Sequence, residues 1–254
     1  MSSPLLVVDA LSKCFGGVQA LRDVSFDVSA GETVAIIGPN GAGKTTCFNV
    51  IHGELAADHG DIRFAGRTLL RKPPHVIAHR GVGRTFQVAA TFASMTVRES
   101  VAVALVARER RDGAAVARML QTHGAAIDAL LVRLRIDDVA DAHCAALAYG
   151  DAKRLELAMA LALEPRLLLM DEPTAGMTPR SRRDLMTLAT SLAERDNVAV
   201  LFTEHDMDIV FGFADRILVL DRGALIAAGT PADIKSDPRV KAVYLGLDEP
   251  PADR

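Results

Sequence analysis

An apolar, β-branched run, Thr33 to Ile37 (TVAII), leads straight into Gly38-Pro39-Asn40-Gly41-Ala42-Gly43-Lys44-Thr45, and no other feature constrains the chain as tightly. Such a run reads as a strand buried on both faces, so its sheet needs a packed layer on each side. The glycines give the turn conformational freedom and let backbone N–H groups converge on one point. The segment after them places Cys47, Phe48, Val50 and Ile51 on the apolar face of a helix, whose positive dipole end faces the same point. The eight residues match G-x-x-x-x-G-K-[ST], a phosphate cradle. In that cradle Lys44 supplies charge to β- and γ-phosphates, Thr45 offers a hydroxyl to Mg²⁺, and Thr46 adjoins it. The implied ligand is a nucleoside triphosphate.

A second site lies downstream, where the apolar run Leu167 to Met170 ends in Asp171-Glu172. A carboxylate at the end of a buried strand can hold Mg²⁺, and its neighbour can act as base toward water. Alone the pair says little, because many strands end in Asp. Following a phosphate cradle by a domain's length, it says much more.

Elsewhere short apolar runs alternate with amphipathic stretches, the pattern of an α/β protein. Leu5–Ala10, Val24–Val28 and Val198–Phe202 are expected strands, with Gly31 turning the chain before Thr33. Ile217–Leu220 and Leu225–Ala228 flank Asp221-Arg222-Gly223, a hairpin signal. Thr230-Pro231 opens a short helix. From about Thr91 to Leu163 strand character fades, and Thr96 with Glu99 forms a capping box for a helix running toward Arg111. The expected organisation is a single domain over 1–254. Its parts are a catalytic core of 1–90 and 165–235, a helical subdomain of about 91–164, and an extension of 236–254.

Composition narrows the partners. Lys+Arg 29 against Asp+Glu 32 gives a net charge of -3, which argues against nucleic-acid binding through bulk positive charge. Aromatics are 4% with no Trp, too few for a base-stacking surface. Cys14, Cys47 and Cys144 have neither disulfide nor zinc spacing, as expected for a reducing compartment. Cys47, on the first turn of the cradle helix, is expected to have a lowered thiol pKa. The N-terminus has no signal-peptide pattern, and no long uncharged apolar run spans a membrane.

Among phosphate-cradle proteins, GTPases need an Asn-Lys-x-Asp guanine reader and small kinases an Arg-rich lid, and neither is found. Nearly the whole chain resembles instead the ATPase subunit of an ABC transporter. The resemblance implies a P-loop NTPase (RecA-like) core with an N-terminal antiparallel β region and a helical insertion. Phe15 matches the aromatic residue that stacks on adenine, a contact of roughly 1 kcal/mol. Gln87, in GRTFQ, matches the glutamine that touches Mg²⁺ where core meets insertion. Leu147-Ala148-Tyr149-Gly150-Asp151 takes the place of the signature that closes over ATP from a second subunit, ahead of a helix expected from Ala152. Ala148 there replaces a serine and Asp151 a glutamine. Asp171 is then the Mg²⁺ aspartate and Glu172 the base, Ala175-Gly176-Met177-Thr178 a dimer-interface loop, and His205 the γ-phosphate contact.

LAYGD, GRTFQ, RLELA, LFTEHDM and the ending GTPADIKSDPRVKAVYLG look like the branched-chain (hydrophobic) amino acid importers, and more like their LivG-type than their LivF-type ATPase. The Ala-Gly-Met-Thr run is also similar to urea importers. A soluble ABC ATPase of repair or translation would bring a second cassette, zinc motifs or coiled coils, which are absent. The resemblance implies ATP and Mg²⁺ as ligands. It also implies integral membrane permeases, a second ATPase that is a paralogue or another copy, and indirectly a solute-binding protein. The implied location is cytoplasmic, peripheral on the inner face of the plasma membrane, with the permease-facing surface near Gln87 to Thr96.

Overall fold

The computed structural model describes residues 3–85, 92–109 and 116–245. Strand β1 (Leu6–Phe15) folds back on β2 (Val18–Val28) across Gly16 and Gly17, both at positive φ. With β4 (His59–Phe64) and β5 (Arg67–Thr68) they form an antiparallel sheet of order β2-β1-β4-β5. Among the described residues the second sheet has six strands. These are β3 (Thr33–Ile37), β6 (Val82–Thr85), β7 (Leu167–Asp171), β8 (Ala199–Thr203), β9 (Arg216–Asp221) and β10 (Ala224–Gly229). Their order is β10-β9-β3-β8-β7-β6, parallel except for the β9–β10 hairpin.

The expectation of a sheet buried on both faces holds residue by residue. Val34 and Ile36 of β3, Leu167 and Leu169 of β7, and Ala199 and Leu201 of β8 belong to the core shared with the antiparallel sheet. The alternate residues, Ala35 and Ile37, Leu168 and Met170, Val200 and Phe202, face a larger core on the other side. Period-two alternation between two apolar layers explains why these strands contain almost no polar residue. Burying each Val, Leu or Ile side chain contributes about 1.5–3 kcal/mol, so either face alone would strongly specify the register.

On the first face α1 (Lys44–Ile51) packs Cys47, Phe48, Val50 and Ile51, and α2 (Pro74–His79) contributes Ile77. The second face is covered by α3 (Val97–Glu109), α4 (Val116–Arg133), α5 (Tyr149–Ala162), α6 (Pro179–Asp196) and α7 (Met207–Phe213). The capping box opening α3 is present: Thr96 N–H donates to Glu99 Oε2 at 2.8 Å, and Glu99 N–H to Thr96 Oγ1 at 3.2 Å. Thr230 and Asp233 make a second box ahead of α8 (Pro231–Ser236), and α9 (Pro238–Leu245) follows. Arg222 and Gly223, at φ 44° and 80°, make the tight β9–β10 turn that the sequence signalled.

Several boundaries differ from the sequence expectation. β1 runs on to Phe15 rather than stopping at Ala10, and β2 begins at Val18, six residues ahead of Val24. The pairing continues through register shifts next to Ala10 and Asp23, both at positive φ, so the hydrophobic alternation is broken where the strand is not. α5 begins at Tyr149 with Ala148 as its N-cap, one turn ahead of the expected Ala152. Tyr149, Gly150 and Asp151 are therefore the first helical turn, not a loop before it.

Candidate active site

The parallel strands β3, β7 and β8 all end on one rim of the sheet, the edge where α/β proteins bind ligands. The loop Gly38–Gly43 leaves β3 there. Gly38 has φ +154°, and a Cβ on it would lie 2.1 Å from the Leu220 carbonyl oxygen; a Cβ on Gly43, at φ +104°, would lie 2.4 Å from that of Ala20. Both positions need glycine because backbone passes directly behind them. Gly43 is the N-cap of α1 and offers no side-chain acceptor, so the first N–H groups of the helix stay available to an anion. Asn40, Gly41 and Thr45 are exposed, while Ala42 and Lys44 are buried.

The Lys44 ammonium donates to the carbonyl oxygens of Gly38 at 2.7 Å and Pro39 at 3.1 Å. Burial pulls its pKa below the ordinary lysine value, and the carboxylates of Glu172 and Asp171 pull in the opposite direction. Lys44, Asp171 and Glu172 thus share one electrostatic neighbourhood, as their places in the sequence suggested. The lysine is not the exposed side chain that a surface cradle implies.

Asp171 closes β7. Its Oδ1 accepts from the Thr203 hydroxyl at 2.8 Å, and Oδ2 lies 3.5 Å from the Arg84 guanidinium. Arg84, buried on β6, also donates to Asn49 Oδ1 at 2.7 Å and pairs with Glu54 at 3.2 Å. Burial lowers the pKa of His52, which shares a 3.0 Å contact with Glu54. Next to Asp171, Glu172 adopts φ 46°, left-handed for a residue with a Cβ, and its N–H is held by Thr203 Oγ1 at 3.0 Å. Glu172 Oε1 meets His205 Nε2 at 2.8 Å. An ionised carboxylate only accepts, so the imidazole is the donor. The sequence singled out Asp171, Glu172 and His205 but missed Thr203 and Arg84, which contact Asp171, and Asn49 and Glu54, which hold Arg84. A polar residue closing each otherwise apolar strand was the available signal for Thr203.

Phe15 ends β1 and is 45% exposed, so it is not a core side chain, and Lys13 Nζ lies 5.3 Å from the ring centroid. Ala148 to Asp151 lie against the loop after Glu172: a Cβ on Gly176 would be 3.6 Å from the Tyr149 ring, and one on Gly150 would be 3.8 Å from Met177 Cε. Among the described residues, no hydrogen bond or ion pair joins Ala148–Asp151 to Gly38–Thr45. Gln87 lies outside the described residues, as do 88–91 of the surface expected to face a permease. The expectation for Cys47 is overturned. Its side chain is fully buried against the sheet, and burial pushes the thiol pKa up to about 12, outweighing the helix end.

Comparison with known proteins agrees with this geometry. Residues 21–175 match the ABC transporter family, and residues 224–249 match the branched-chain amino acid ATP-binding cassette transporter family. The high-affinity branched-chain amino acid transport ATP-binding protein LivG of Salmonella typhimurium is 38% identical, over 97% of this chain and 99% of that one. BraF of Pseudomonas aeruginosa, which carries the same description, is also 38% identical over the same shares. A solved ATP-binding cassette of an ABC transporter in its ADP conformation superposes with TM-score 0.83 at 30% identity, covering 96% of this chain and 100% of the other. A nucleotide-free cassette gives 0.82 at 30% identity over 95% and 99%.

Proposed function

Because this chain belongs to the ATP-binding subunits of ABC transporters, we propose that it drives an importer of branched-chain amino acids. It is an ATP hydrolase, and membrane permeases are its partners. The observation that carries the catalytic reading is the convergence of Lys44, Asp171 and the hydrogen-bonded pair Glu172–His205 on one rim. The solute class rests on the match of residues 224–249 and on the LivG and BraF relatives.

In this reading the phosphates of ATP lie on the N–H groups at the start of α1, and Lys44 turns from the Gly38 and Pro39 carbonyls to the γ-phosphate. Asp171 and the Thr45 hydroxyl are hard oxygen donors that would hold Mg²⁺, and the bound ion would offset phosphate charge. Glu172 takes a proton from water as the water oxygen bonds to the γ-phosphorus and the bond to the bridging oxygen breaks, giving ADP and phosphate. His205 steers the Glu172 carboxylate through their 2.8 Å bond.

The signature turn Ala148–Asp151 closes this site from a second ATPase subunit, whether another copy or a paralogue. Its lack of bonds to the phosphate loop of its own chain supports that arrangement. The uncapped N–H groups at the start of α5 then meet phosphate without needing the serine that Ala148 replaces. The exposed Phe15 ring supplies a face to adenine. In the same reading 1–90 and 165–235 act as the catalytic core, 91–164 as the subdomain that moves the permease, and 236–254 as an extension. No helix among the described residues is long and apolar enough to cross a membrane. In this reading the permease holds the chain at the inner membrane face.

Affinity purification of the tagged chain from gently solubilised membranes tests this assignment. Two hydrophobic permeases and a second cassette are expected in amounts comparable to the bait. A chain recovered alone, or with nucleic acid, would contradict it.

A further inference from the structure

Directly between Thr203 and His205 lies Glu204, a carboxylate 4% exposed that hydrolysis as described does not use. Among the described residues it forms no ion pair, yet both of its oxygens accept hydrogen bonds. Oε1 accepts from the Thr174 N–H at 2.9 Å and from the Thr174 hydroxyl at 2.6 Å, while Oε2 accepts from the His205 N–H at 3.1 Å. Thr174 is 1% exposed and lies two residues after Glu172. The turn it belongs to is closed by Ala175 N–H to the Glu172 carbonyl at 3.2 Å and by Met177 N–H to the Thr174 carbonyl at 3.1 Å.

Burying a carboxylate without a cation is costly unless several donors satisfy it. Here the donors come from two chain segments, the exit turn of β7 and the exit of β8. Those segments carry Glu172 and His205, whose side chains meet at 2.8 Å. Glu172 stands in left-handed backbone, a conformation that persists only where its surroundings impose it.

We propose that Glu204 is a positioning residue that clamps the Thr174 turn to the His205 backbone and so sets the Glu172–His205 pair in register for catalysis. The inference rests on Glu172 being the base. Glutamine at 204 keeps the length and an acceptor for Thr174 but turns an N–H₂ toward the His205 N–H, so the clamp loses one side.

The test measures kcat and KM for ATP, ADP affinity by calorimetry, and thermal midpoint, in the parent, Glu204→Gln, Glu172→Gln and the double variant. Glu204→Gln is expected to lose about 10- to 100-fold in kcat, with KM and ADP affinity within about twofold. In the Glu172→Gln background the same change should cost less than about twofold more, because there is no base left to misplace. Three results overturn the proposal: an unchanged kcat, a loss of ADP affinity parallel to the loss of kcat, or full multiplication of the two losses in the double variant. Should Glu204→Gln fail to fold, Thr174→Val decides, since it removes only the hydroxyl donor. A kcat several-fold lower with ADP affinity intact supports the clamp, and an unchanged kcat overturns it. A Glu172→Gln variant that hydrolyses at the parent rate overturns the base assignment itself, whatever Glu204 does.

Discussion

Glu172→Gln is expected to lower kcat for ATP hydrolysis by about 10²- to 10⁴-fold, the usual loss when a general base is removed. Glutamine keeps the reach of the side chain and still accepts from His205 Nε2, which lies at 2.8 Å in the parent, but it cannot take a proton from water. The phosphate loop, Lys44 and Asp171 are untouched, so ATP affinity should stay within about twofold. A variant that binds but does not hydrolyse accumulates in the closed state, which light scattering reads as a shift toward dimer with Mg-ATP and back with ADP. A paralogue is added if it is the natural partner. Gly150→Asp in the same background should abolish the shift. A Cβ at Gly150 meets only Met177 Cε at 3.8 Å, so the fold accepts it, while the new carboxylate faces the incoming phosphate. Parent-rate hydrolysis by Glu172→Gln would remove Glu172 from the mechanism.

The second large effect is on binding. Lys44→Ala should weaken ATP binding by about 100-fold or more, because charge-assisted bonds to phosphate are each worth about 1.5–3 kcal/mol. Stability should change little. The ammonium is buried and pays a desolvation cost that lowers its pKa, and its bonds to the Gly38 and Pro39 carbonyls offset that cost. Calorimetric titration with ATP and a melting curve without nucleotide separate the two effects. A variant that binds ATP normally would contradict the phosphate-loop assignment, and one that unfolds would show the lysine to be structural.

The parts of this protein that could be read from its sequence are those where a single physical requirement dominates. TVAII must be covered on two faces, and both faces are covered. Gly38 and Gly43 mark places where backbone approaches backbone, and Thr96–Glu99 is a local exchange of hydrogen bonds. Strands β4 and β5 were not foreseen, because HGDIRF and RT lie in a sheet with one wet side and carry polar residues that read as loop. Strand β6, with only four residues including Gly83 and Arg84, gave too short a pattern. The start of α5 was missed because Gly150 sits in its first turn, where the helix tolerates a residue that ordinarily breaks one.

Within the site, the residues proposed to react could be picked out by their register, whereas their neighbours across the sheet could not. Thr203, Arg84 and Glu204 act across strands that are distant in sequence, and that adjacency exists only once β6, β7 and β8 are side by side. Cys47 shows the opposite error. A helix N-terminus favours thiolate, but the side chain points into the core, and desolvation is the larger effect.

The most direct measurement of the central claim is uptake of radiolabelled leucine into proteoliposomes that contain the complex purified with this chain, supplied with its solute-binding protein. ATP enclosed on the side of the cassettes should drive leucine accumulation in the parent, unlabelled isoleucine and valine should compete while urea does not, and the Glu172→Gln complex should bind ATP without accumulating leucine. An assembled complex that hydrolyses ATP but leaves leucine outside, or a Glu172→Gln complex that imports at the parent rate, would contradict the account.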